Sequence, residues 1–165
     1  MRTFLIPGAV ALALTALPAS AQTATISYEV PRHTVSNYRK PYIAIWLEDA
    51  DRKQVEVYSV AYKQSPIGDN WLPDLKTWWR RGGRAMKVPV SGVTRPTRGP
   101  GSYTIKTDSF GNLAPGSYAL VVEAVREHGG REIIKLPFDW KKGAKLSASQ
   151  KGSGELGAIR LSVAP

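Results

Sequence analysis

About seven stretches of this chain alternate apolar and polar side chains, or run apolar for the length of one strand, with turn-forming residues between them. That pattern is one of strands, because a helix cannot keep one face apolar on a period of two. Thr25 to Val30, Val55 to Tyr62, Gly101 to Thr107, Ser117 to Val125, Arg131 to Trp140 and Gly154 to Val163 read as strands. Pro41 to Leu47 is almost continuously apolar and reads as a central strand buried on both faces. Glu48 to Lys53 is a turn, so Val55 to Tyr62 should pair antiparallel with the strand before it. Glu127 to Gly130 reads as a tight hairpin turn in which glycines supply positive φ. Lys141 to Ser153 is rich in Gly, Ser and Lys and reads as a loop, as does Asp108 to Gly116. The fold class is all-β, an immunoglobulin-like antiparallel β-sandwich; a partly closed barrel is the alternative.

One segment breaks the period. Leu72, Leu75, Trp78 and Trp79 recur at helical spacing, Asp74 sits in the first turn, and Arg80 and Arg81 sit in the last. The spacing predicts one short inserted helix over about 71–81, capped by Asn70 and ended by Gly82-Gly83. Leu72, Leu75 and Trp79 (or Trp78) fall on the face expected to plug an open side of the sandwich. One of the three tryptophans is expected to stay partly exposed.

Residues 1–21 read as a cleaved secretory signal, and residues 22–165 as one domain. Arg2 precedes an apolar run from Phe4 to Leu17, and Pro18-Ala19-Ser20-Ala21 supplies the small-x-small cleavage pattern. The run is shorter than the roughly 20 residues that span a bilayer, and no later stretch approaches that length. The chain has no cysteine, which excludes a lipoprotein anchor, a disulfide framework, a thiolate metal site and a cysteine nucleophile. A 42% hydrophobic and 22% charged composition suits a globular domain held by its core.

Several blocks resemble the predicted periplasmic proteins of the domain-of-unknown-function 2271 family. They are Lys40 to Asp49, Trp71 to Arg80, Ser91 to Pro96, Gly101 to Thr104, Leu113 to Tyr118, Glu123 to Gly130 and Gly154 to Ala158. The resemblance implies an exported β-sandwich in the periplasm. It also implies an association with membrane proteins bearing peptidase-propeptide-like repeats and with transferases that attach FMN to exported proteins. Asp108 to Tyr118 is also similar to the immunoglobulin-like domain of a flagellar hook-capping protein, an analogy of fold alone.

Val88 to Thr94 resembles the segment Asp-x-x-Ser/Thr-Gly-Ala-Thr, whose last Thr takes FMN in exported flavin carriers. Ser91, Gly92 and Thr94 match, while Val88 replaces the Asp and Val93 the Ala. Thr94 is thus the candidate FMN acceptor; the plainer reading is a strand end and turn, with Gly92 there for backbone geometry. The only histidines are His33 and His128, and His128 with Glu127 could bind a transition metal if His33 converged on them. Otherwise His128 is a solvated turn residue.

No nucleophile elbow, metalloprotease helix, phosphate loop or dinucleotide fingerprint occurs, so no catalytic residue is expected. Trp71, Trp78, Arg80, Arg81, Arg126 and His128 form the candidate interaction surface, Trp and Arg being enriched at binding hot spots. A formal charge of +10 without interleaved basic and aromatic residues points away from nucleic acid and toward anionic lipid, periplasmic polymers or acidic partner domains, the plainer reading being a generic charged soluble surface. The expected function is an exported, non-catalytic accessory domain. Its expected partner is a membrane-associated periplasmic protein of a redox or metal-uptake system.

Overall fold

The computed structural model describes residues 22–164; the expected signal segment lies outside them. Among the described residues, nine strands form two sheets. The first sheet runs β5 (Gly101–Thr107), β1 (Ala24–Val30), β9 (Ala158–Val163), β8 (Leu146–Lys151). The second runs β4 (Thr94–Arg95), β3 (Gln54–Ala61), β2 (Tyr42–Asp49), β6 (Gly116–Val125), β7 (Arg131–Trp140). All pairings are antiparallel except β3 with β4. The result is a sandwich, not the barrel alternative.

Strand alternation sorts side chains onto two faces. Ile43, Ile45 and Leu47 of β2 and Leu120, Val122 and Ala124 of β6 point inward, against Ile26, Tyr28, Ile159 and Leu161 of the facing sheet. Phe110 closes this core in a short 3-10 turn, its ring 5.9 Å from Phe138 and 5.3 Å from Trp140. The Tyr118 hydroxyl donates to the Ala114 carbonyl at 2.9 Å, as in the tyrosine corner of immunoglobulin-like domains.

The strand expected between Pro41 and Leu47 is central, and it is buried on both faces as expected. Its outer residues, Ala44 and Trp46, join Val60, Tyr62 and Val121 in a second core. The chain between β3 and β4 covers that face with Leu72, Leu75 and Trp78. The insertion therefore lies over the outside of the five-stranded sheet, rather than plugging an open side of the sandwich.

Several expectations need correction. The short inserted helix expected over about 71–81 is present as α2 (Lys76–Arg81), but a 3-10 turn over Leu72–Asp74 replaces its first half, and a separate helical turn, α1 (Pro66–Asp69), precedes both. Pro73 lacks an N–H for a continuous ladder, and Leu75 leaves helical geometry at ψ 67°. Asn70 ends α1 instead of capping a long helix, and Ser65 caps α1 through its side chain. Of the two alternatives for the inward tryptophan of this segment, Trp78 is the fully buried one.

Leu146 to Lys151, expected as loop, is the edge strand β8. It has only Leu146 and Ala148 turned to the core, so its alternation is faint. In the β6–β7 hairpin the positive φ belongs to His128, at 56°, and to neither glycine.

Candidate functional site

An open groove of about 840 Å³ lies at one end of the five-stranded sheet, beside the second core. Four separated segments build it. The loop before β2 brings Tyr38, Arg39 and Lys40, and the first residue of β2 adds Tyr42. The start of the insertion brings Lys63, Ile67, Trp71 and Asp74. Thr97 adds to the lining, and the β6–β7 hairpin contributes Val125, Arg126 and Glu127.

The wall carrying Ile67 and Trp71 is fixed from below. The Tyr42 hydroxyl donates to the Gly68 carbonyl at 3.2 Å. Gly68 packs against the end of β3 so closely that a β-carbon there would overlap the Lys63 carbonyl. With the backbone held, Ile67 is 66% and Trp71 55% exposed, two of the four large apolar side chains so open to solvent among the described residues. Burial raises the hydroxyl pKa of Tyr38 and of Tyr42, so both stay protonated and able to donate.

Buried carboxylates anchor the surrounding elements. Glu123 on β6, fully buried, accepts the Thr77 and Trp78 backbone N–H groups at 3.1 and 2.8 Å. It also accepts the Arg131 guanidinium at 2.6 Å. Glu48 on β2 receives Trp46 Nε1 and Lys135 Nζ, each at 3.0 Å, with Arg81 Nε at 3.4 Å. Glu155 takes Arg126 at two points, 2.8 and 3.0 Å, and the Gly130 N–H at 2.7 Å. His33 Nε2 stands 3.5 Å from the same carboxylate, and its ring stacks on Tyr38.

The expected site residues separate accordingly. Trp71 and Arg126 come together at the groove, with Glu127 beside them. Trp78 is completely buried and so cannot contribute to a surface. Arg81 is tied to Glu48, and Arg80 is exposed away from the groove lining.

His128 is exposed, its Nε2 3.6 Å from Glu127 Oε1, while His33 lies against Glu155. No group of three or more His, Asp or Glu suited to a metal forms among the described residues.

Ser91, Gly92 and Thr94 form a closed turn at the sheet edge, with Gly92 at φ 76°. Thr94 Oγ1 donates to the Val90 carbonyl and accepts the Val90 N–H, both at 3.0 Å. An FMN attached there would have to replace the hydroxyl's donated bond.

Tyr38, Lys40, Tyr42, Lys63 and Ile67 were not singled out by sequence, since nothing local marks residues that meet only in the fold.

The molecule is thus a β-sandwich with one sheet overlaid by an insertion and a mixed aromatic and cationic groove at the junction. The chain belongs to the DUF2271 family, described as predicted periplasmic protein, which it matches over residues 23–158. No curated protein and no solved structure matches the chain significantly. The periplasmic location expected from the N-terminal segment agrees with the family description. No helix among the described residues is long and apolar enough to cross a membrane.

Proposed function

We propose that this periplasmic domain is a non-catalytic interaction module that docks on a membrane-associated protein of a redox or metal-uptake system, and that the groove is its docking surface. The observation that carries this reading is the pairing of exposed Ile67 and Trp71 on a backbone pinned by Tyr42 and by the close approach of Gly68. Exposed apolar side chains on a rigid wall pay little ordering entropy on binding, and Trp and Arg, both present in the groove lining, are enriched at hot spots. Neither the FMN reading at Thr94 nor the metal reading at His128 has a comparable observation behind it.

The test is a pull-down from native periplasmic and membrane fractions with the wild type and the Trp71→Ala variant. A membrane protein held by the wild type and lost from the variant is the expected result. Equal retention by both removes the groove from the reading. Intact mass of the natively purified protein runs alongside. A mass increased by one FMN, abolished by Thr94→Ala, would replace the docking reading with a flavin carrier.

A further inference from the structure

We infer that the occupant of the groove is an acidic, extended segment of the partner protein, with a carboxylate taken at the Arg126–Tyr38 end. This rests on the docking reading above and adds the chemistry of the partner.

Charge gives the first reason. Arg39, Lys40, Lys63 and Arg126 line the groove against only Asp74 and Glu127. Arg39 lies 3.8 Å from Glu127 and Arg126 is paired with Glu155. Lys40 and Lys63, both exposed, have no acidic partner among the described residues. Two cations in one concavity raise the local concentration of an anionic ligand and speed its encounter.

Arg126 gives the second. Its side chain is only 6% exposed, and Glu155 occupies Nε and Nη2. Nη1 is buried with no hydrogen-bond partner among the described residues, and so is the hydroxyl of Tyr38. The Tyr38 ring covers the guanidinium, 5.7 Å from Cζ to the ring centroid. Buried donors left unpaired are costly, and a carboxylate satisfies an N–H and an O–H together. Tyr38 sits on the loop of residues 31–41, outside any strand or helix, and lines the groove together with Arg126.

The apolar wall gives the third. Ile67 and Trp71 require an apolar side chain alongside the acidic ones, which an extended polypeptide provides on alternate residues. A lipid surface is a poorer fit, since membrane-binding side chains project from a convex face and these line a concavity.

The experiment selects a displayed library of random twelve-residue peptides on the wild type, on Trp71→Ala and on the double variant Lys40→Glu/Lys63→Glu. Circular dichroism checks that each variant is folded. Peptides enriched on the wild type should carry net negative charge with an aromatic or aliphatic residue. One of them, resynthesised, should bind the double variant about tenfold or more weakly and lose affinity as salt rises. Enrichment of basic or uncharged peptides that still depend on Trp71 overturns the acidic occupant and leaves the docking groove standing. Enrichment that ignores Trp71, or none at all, overturns both. Co-sedimentation with phosphatidylglycerol vesicles in place of peptide enrichment overturns the proposal in favour of a membrane surface.

Discussion

Glu123 Oε2 accepts the backbone N–H of Trp78 at 2.8 Å, so a carboxylate on the sheet does the work of a cap for a helix 45 residues earlier in the chain. Leu75, at the α2 N-cap, offers no side-chain acceptor. The unpaired N–H groups of the first turn are met from across the second core instead.

Glu123→Gln keeps the shape but loses the charge that serves two N–H groups and Arg131 at once. It should cost about 1.5–3 kcal/mol in urea unfolding, the usual range for hydrogen bonds to charged groups. Hydrogen exchange at Thr77 and Trp78 should accelerate more than exchange in β1. Equal acceleration everywhere would show that the carboxylate has no local anchoring role.

Trp78→Ala and Trp71→Ala should behave oppositely. Trp78 is wholly buried in the second core, and its removal should cost about 3–5 kcal/mol. Trp71 is exposed, and its removal should change stability by less than about 0.5 kcal/mol while abolishing partner capture. Thermal melts and pull-downs on the same preparations separate the two effects.

Gly68→Ala tests the groove wall without touching an exposed side chain. The added methyl must displace α1 from the Lys63 carbonyl, carrying Ile67 with it. Partner binding should fall about as far as in Trp71→Ala, with an added stability cost of about 1–3 kcal/mol from overpacking. Unchanged binding would mean that the wall's position is immaterial.

Acid unfolding should depend on Glu132. Burial pushes its pKa up, but backbone N–H groups of Ser153, Leu156 and Gly154 outweigh that and hold it below the ordinary 4.5. A depressed folded pKa contributes stability above the unfolded value and loses it as pH falls through the folded one. Glu132→Gln should therefore be less stable at neutral pH and show a flatter decline below about pH 4.5. Urea midpoints across acid pH measure this; parallel curves would refute it.

Alkaline unfolding should depend on Tyr58. Burial raises its hydroxyl well above the ordinary 10.0; a hydrogen bond from Ser109 opposes this, and the Glu56 carboxylate reinforces it. A raised folded pKa contributes stability below the unfolded value, and that contribution is lost as pH climbs toward the folded one. Tyr58→Phe should match the wild type near neutrality and resist the decline above about pH 10. An identical alkaline limb in both proteins would exclude Tyr58 as its source.

The strands were legible where alternation was strong, as in Val55 to Tyr62 and Arg131 to Trp140, because period-two patterning is a local property. β8 was not, since an edge strand with two inward side chains leaves a polar loop's composition. Pro73 was visible in the sequence, yet the helical spacing of Leu72, Leu75 and Trp78 concealed the break it makes. Trp71 and Arg126 were visible as residue types suited to binding, but the groove joins them to Tyr38 and Lys63, a conjunction that only tertiary structure creates.

Trp46 and Val121 are buried because the insertion lies on them, while their neighbours Ile45 and Leu120 are buried by the opposite sheet. A shortened version lacking residues 62–95 would not be a smaller, sturdier sandwich. It would be a sheet with one greasy side uncovered, prone to clump through the strands it depends on. The domain cannot be pared back to its scaffold, and its docking wall and its framework are inherited as one piece.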